Sequence, residues 1–195
     1  MQKQITNRQA GFTLIELLVS VFILMTLAGV MIANFRTSEP SKRASAAKDV
    51  TLNAIRNAQN YTLTSRQISN SSCAPGGVAD KSPKNFRVLF VDSSSTITLY
   101  AEDKCSTLNI VETYALPVGT KFTTSGFSIN SGAGTTNNGT VQIRFDAPFA
   151  PSTYATAAGV GATFNSFQSA TINLTDSNGN NAKTVVVDGI SGRIE

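Results

Sequence analysis

The side chains that do most enzymatic chemistry are thin in this 195-residue chain, which contains no histidine. That absence removes the usual general base and the commonest metal ligand together. Zinc sites and Ser-His or Cys-His nucleophile pairs in their ordinary forms are excluded. Glu102, Asp103 and Glu112 are acidic residues in strand-like sequence. Nothing in their spacing fixes an acid and a base, so a solvated strand face is expected. No catalytic residue, cofactor or metal is expected. The carboxylate that stands out is Glu16, because it is the only ionisable residue among the 24 from Phe12 to Phe35.

Two further groups of residues have a simpler reading. Asp176-Ser177-Asn178-Gly179-Asn180 has the oxygen-rich start of a calcium loop. Its glycine is misplaced, however, and Val187 stands where a bidentate glutamate belongs, so a plain hairpin turn is expected. Cys73 and Cys105 sit in polar surroundings, SSCAP and DKCST, where free thiols would be exposed. An even count in an exported domain suggests one disulfide between them, with two unpaired thiols as the alternative.

The elements that must position Glu16 follow from hydropathy. The apolar run Phe12 to Phe35 is long enough, at about 1.5 Å per helical residue, to cross a bilayer core of roughly 30 Å. It follows a short, polar, basic leader, MQKQITNRQAG. A cleaved secretory signal would have a shorter apolar core ending in a small-x-small site. The best such cut here, after Ala28, is poor because the run continues. A count of Lys and Arg places the large domain in the cytoplasm, since Lys3 and Arg8 precede the helix and Arg36, Lys42, Arg43 and Lys48 follow it. The paired cysteines argue for the opposite side.

The 160 residues after Phe35 suffice for one globular domain. They are rich in Ser, Thr, Asn and Gly and low in charge, as an exported β-rich domain is. The net charge of +4 falls to +2 without the leader's Lys3 and Arg8, too little to imply nucleic acid or an acidic surface. Ser38-Glu39-Pro40-Ser41 predicts a break, kink or restart. From Ser41 to about Ser65, Ala47, Val50, Ala54, Ala58 and Tyr61 recur at helical spacing as one narrow apolar stripe, suited to packing on a sheet. Residues 66–85 predict a loop turning at Pro75-Gly76-Gly77. Strands are expected at 86–91 and 96–101 as a hairpin, then at 109–116, 121–125, 141–145, 170–175 and 184–187. A Gly, Ala, Ser and Thr stretch from 147 to 166 divides them. Asn178-Gly179 marks a hairpin turn, and DGISGRIE a closing edge strand. The expected fold is α+β: a long transmembrane-plus-amphipathic helix packed on an antiparallel sheet or sandwich of six to eight strands.

The leader ending in Gly11, then Phe12-Thr13-Leu14-Ile15-Glu16 and the long apolar helix, resembles the signal of type IV prepilins and type II secretion pseudopilins. The resemblance covers residues 8–35. It implies a leader at 1–11, an assembly helix at 12–35, an amphipathic continuation at 36–65 and a β-rich head at 66–195. It also implies cleavage after Gly11 by a membrane peptidase that N-methylates Phe12, and a register-setting pair between Glu16 and the Phe12 amine of a neighbouring subunit. The partners implied are that peptidase/methyltransferase, other pilin or pseudopilin subunits and an inner-membrane assembly platform. The head would face the periplasm or the exterior.

The head narrows the resemblance. The Ala-rich helix, IRFDAPF (143–149) and the closing VVVDGISGRIE are similar to minor pseudopilins and minor pilins of the GspH and FimT kind. Some of those bind DNA through a basic C-terminal strand or tail. This chain ends in Glu195, with Arg193 the only nearby base, so a DNA contact through Arg193 and Lys183 is an alternative reading. A membrane-anchored β-sandwich that never polymerises is another.

Overall fold

The computed structural model describes residues 12–68, 73, 81–131, 135–146, 152–156, 162–189 and 193–194, without the side chains of 33–37 and 135–138. Two compact units divide the chain, Met1–Glu39 and Pro40–Glu195. One helix, α1 (Leu14–Leu63), is assigned across the boundary with Pro40 inside it. The expected break or restart at Ser38–Ser41 is therefore not found. Proline deletes one helical hydrogen bond, and the helix formers on either side keep the ladder going.

In the first unit, α1 from Leu14 to Ile32 is apolar on all sides and every residue of it is exposed. In the second unit the predicted stripe faces inward. Ala47, Ala54 and Ala58 are fully buried, and Val50 and Tyr61 pack against the same core. The helix ends in a left-handed cap. Ser65 has φ 49, Ser65 N–H donates to the Thr62 carbonyl (3.2 Å), and Arg66 N–H donates to the Tyr61 carbonyl (3.0 Å). The Arg66 guanidinium then lies 4.1 Å from the centre of the Tyr61 ring.

Ten strands follow among the described residues: β1 (Pro83–Val91), β2 (Thr96–Asp103), β3 (Leu108–Ala115), β4 (Thr120–Asn130), β5 (Thr135–Asn138), β6 (Thr140–Asp146), β7 (Ser152–Ala155), β8 (Asn165–Ser166), β9 (Ser169–Asp176) and β10 (Lys183–Asp188). They form a six-stranded sheet, β3-β2-β1-β6-β7-β8, and a four-stranded sheet, β10-β9-β4-β5. All strand pairs are antiparallel. Both sheets and the helix share one core. Phe90 of the larger sheet meets Phe122 and Phe127 of the smaller one at ring-centre distances of 5.6 and 6.2 Å.

Several expectations are corrected. The strand count among the described residues exceeds eight because β5 and β8 are built from small polar residues and β7, with Tyr154 buried, is too short to carry an apolar run. Strand β4 extends to Asn130 rather than stopping at Ser125. A bulge between Phe122 and Phe127 lets both rings face the core despite their odd spacing. Gly126 is required there, since a Cβ would lie 2.5 Å from the Thr123 carbonyl oxygen. The closing edge strand reduces, among the described residues, to a single bridge between Val187 and Ile194. The Pro75-Gly76-Gly77 turn, residues 147–149 of the IRFDAPF segment, and Ser191-Gly192 lie outside the described residues.

Candidate functional site

Helix α1 starts one residue after Thr13. The Glu16 N–H reaches both the Thr13 hydroxyl (3.3 Å) and the Thr13 carbonyl (3.1 Å), and Leu17 N–H reaches that carbonyl too (3.2 Å). Thr13 is thus the N-cap and Glu16 the third helical residue. A carboxylate there faces the positive end of the helix dipole. Threonine followed three residues later by glutamate is the sequence signature of such a cap.

Two other polar side chains of the run, Ser20 and Thr26, are already satisfied. Ser20 donates to the Glu16 carbonyl (2.7 Å) and Thr26 to the Ile23 carbonyl (2.8 Å), the back-bonding that hydroxyls use in apolar helices. The Glu16 carboxylate has no hydrogen-bond or ion-pair partner among the described residues. Phe12, 83% exposed, sits just ahead of the cap. Gly11 and the leader lie outside the described residues. The segment Leu14–Ile32 is 19 residues long, about 28 Å as a helix and matched to a bilayer core. A helix apolar on every face needs lipid or other helices around it, and one carboxylate near its end needs water or a cation.

The remaining candidate residues have structural partners. Cys73 and Cys105 are joined in a disulfide with Cα atoms 5.6 Å apart and 32 residues of separation. Asp103 lies close to both sulfurs. Its Oδ1 accepts from the Cys105 and Thr107 amides (3.0 and 2.8 Å) and its Oδ2 from Asn109 (3.3 Å), so it shapes the turn between β2 and β3. With the sulfurs oxidised, this cluster offers no thiolate to a metal.

Glu102 and Asp103 are not on the expected solvated face, since both are buried. Glu102 pairs with the Arg87 guanidinium and accepts from Asn85 Nδ2 at 2.8 Å. Burial, and then the neighbouring Arg144, lower the affinity of Arg87 for its proton. The guanidiniums of Arg87 and Arg144 lie 4.7 and 4.3 Å from the Phe164 ring centre. Glu112 accepts from Tyr114 (2.5 Å) and Tyr61 (3.3 Å), while Asn57 donates to Tyr114 (2.9 Å), which ties β3 to the helix. Burial, together with the bond to Glu112, pushes the Tyr114 phenol up to about 12.

The Asp176 turn is a hairpin between β9 and β10, with Gly179 at φ 83. Asp176 accepts from Asn181 Nδ2 (3.0 Å) and from the Asn178 and Asn180 amides (3.1 and 2.7 Å). The Asn181 bond first, and then these amides, hold its carboxyl below the usual range. Lys183 opens β10, whereas Arg193 lies opposite Asp188 at the other end. Five residues of strand separate those two levels by roughly 17 Å, so the two cations do not form one patch.

Residues 6–32 match the prokaryotic N-terminal methylation motif. This is a type IV pilin-class signal on about one-seventh of the chain. It implies processing by a prepilin peptidase and assembly with other pilins, and it marks structural subunits rather than enzymes. No curated protein and no solved structure matches the chain. What the chain carries, therefore, is a prepilin-class signal and apolar helix ahead of an α+β head of two antiparallel sheets.

Proposed function

We propose that this chain is a minor subunit of a type IV pilus or type II secretion pseudopilus, of the GspH and FimT kind, held in the inner membrane before assembly. The observation that carries the reading is Glu16. It is a lone carboxylate with no partner among the described residues, at the capped end of a segment, Leu14–Ile32, that buries nothing, inside the methylation motif. Hydrolysis of the Gly11–Phe12 bond frees the Phe12 amine, and one methyl group leaves that amine cationic. Glu16 near the bilayer centre would cost up to about 3 kcal/mol, and less near an interface. The amine of a neighbouring subunit's Phe12 offsets that cost, and a charge pair in low dielectric holds only when both members meet. Apolar contact between helices then supplies cohesion, and the pair supplies axial register. The platform in the inner membrane and the other subunits are its partners, and the disulfide-bearing head faces the periplasm or the exterior.

The test is Glu16→Ala in the producing cell. The variant should be cut and methylated normally and be lost from the filament or pseudopilus fraction. Incorporation as efficient as that of the unmodified chain would overturn the role of Glu16 and favour an anchored sandwich that does not polymerise.

A further inference from the structure

The Cys73–Cys105 disulfide has a carboxylate built beside it. Asp103 closes β2, and one of its carboxylate oxygens lies within 4.8 Å of both sulfurs. Asp103 is 1% exposed and Cys73 3%, whereas Cys105 is exposed. The three bonds that Asp103 accepts, from the Cys105 and Thr107 amides and from Asn109 Nδ2, are all donated by N–H groups, as to an ionised carboxylate. The turn itself is closed by the Asp103 amide on the Thr107 carbonyl (3.0 Å) and the Ser106 amide on the Asp103 carbonyl (3.0 Å). An asparagine oxygen would serve the two amides equally well. The turn therefore explains the acceptor and leaves the charge unexplained.

Thiolates open disulfides by attacking one sulfur while the other leaves with the electron pair. Exposure makes Cys105 Sγ the sulfur attacked here, and Cys73 Sγ leaves in a buried place. That step breaks the protein S–S bond and forms a mixed disulfide on Cys105. A second small thiolate attacks the small-thiol sulfur of the mixed disulfide, releasing Cys105 as a thiolate and departing as the small disulfide. Both protein thiolates then take protons from water. In the first step negative charge spreads over the attacking, central and leaving sulfurs, beside the Asp103 carboxylate. Like charges oppose this, and burial of one strengthens the effect. Neighbouring charges do not cancel it. Glu102 is paired with Arg87, and Lys104 is exposed, where water weakens its pull. We infer that Asp103 sets which small thiols can open this bond, slowing anionic thiols relative to cationic ones. The head thereby keeps its bridge in the presence of small anionic thiols. This holds whether or not the chain assembles with others.

The test reduces the full chain, in an uncharged detergent, with mercaptoethanesulfonate and with cysteamine, which carry opposite fixed charges. Each rate, per thiolate, is divided by that of the same thiol on a small uncharged disulfide. Cysteamine should then be favoured by about fivefold, and the preference should shrink at about 1 M salt. Asp103→Asn keeps an acceptor oxygen and removes the charge, so the preference should fall to about unity. Equal normalised rates on the unmodified chain, or a preference that salt leaves unmoved, would overturn the inference without any variant. A preference that survives Asp103→Asn would overturn it too, even if both rates rise together, because that result describes a loosened turn and not a lost charge.

Discussion

Along residues 14–32 every large apolar side chain is exposed, whereas in the head five phenylalanines (Phe86, Phe90, Phe122, Phe127 and Phe145) are fully buried. Polar groups divide the same way. The carboxylates of Glu102, Asp103, Glu112 and Asp176 all have partners within the head, while that of Glu16 has none among the described residues. The head closes these interactions itself. Residues 14–32 leave their apolar surface and their one charge without partners among the described residues, and that is where the proposed function lies.

The contrast breaks most visibly in the head's core. Phe127→Ala should destabilise the head by about 3–5 kcal/mol, seen in its thermal melt, with no change in detergent extraction from membranes. Reduction of Cys73–Cys105 should cost roughly 3–4 kcal/mol by the loop it closes, seen as a lower denaturant midpoint that returns on reoxidation. Tyr114 sharpens the comparison through pH. Its folded pKa of about 12 lies above the unfolded value near 10. The folded state therefore holds the proton more tightly, and this contribution is complete below pH 10 and lost as pH rises toward 12. Melting temperature should fall across that window, and Tyr114→Phe should flatten the fall. Phe22→Ala should move the head's melt by less than about 0.5 kcal/mol, since an exposed side chain outside the core contributes little to it. A large shift would mean that the helix and head are not independent. The smallest effect is expected from Lys183→Ala with Arg193→Ala. Cations at opposite ends of β10 form no shared site, so DNA retention by the full chain should barely change.

The two regions also differed in how far they could be read from sequence. The span and its motif were legible because their signal is local: a contiguous apolar run, and residue types at fixed offsets from Gly11. The helix stripe Ala47–Tyr61 and the strands around Phe86, Ile97 and Ile172 were legible by periodicity. The Ser-Thr-Tyr-Ala of β7 and the Asn-Ser of β8 were not. Their pairing comes from backbone bonds to neighbours, and strands of four and two residues are too short to show a pattern. The Arg87–Glu102 pair was invisible for a related reason: it exists only once β1 and β2 adopt the register that sets Asn85 opposite Glu102. Pro40 is a poor guide by itself, because the helix formers on both sides of it outweigh its local propensity. Thr13 is legible as a cap from its type and its spacing from Glu16.

The most direct test of the central claim is the intact mass and N-terminal sequence of the protein extracted from the membranes of its native host. A chain that begins at N-methyl-Phe12 and carries Cys73 and Cys105 oxidised is the predicted result. A chain that retains residues 1–11, or one cut near Ala28, would contradict it.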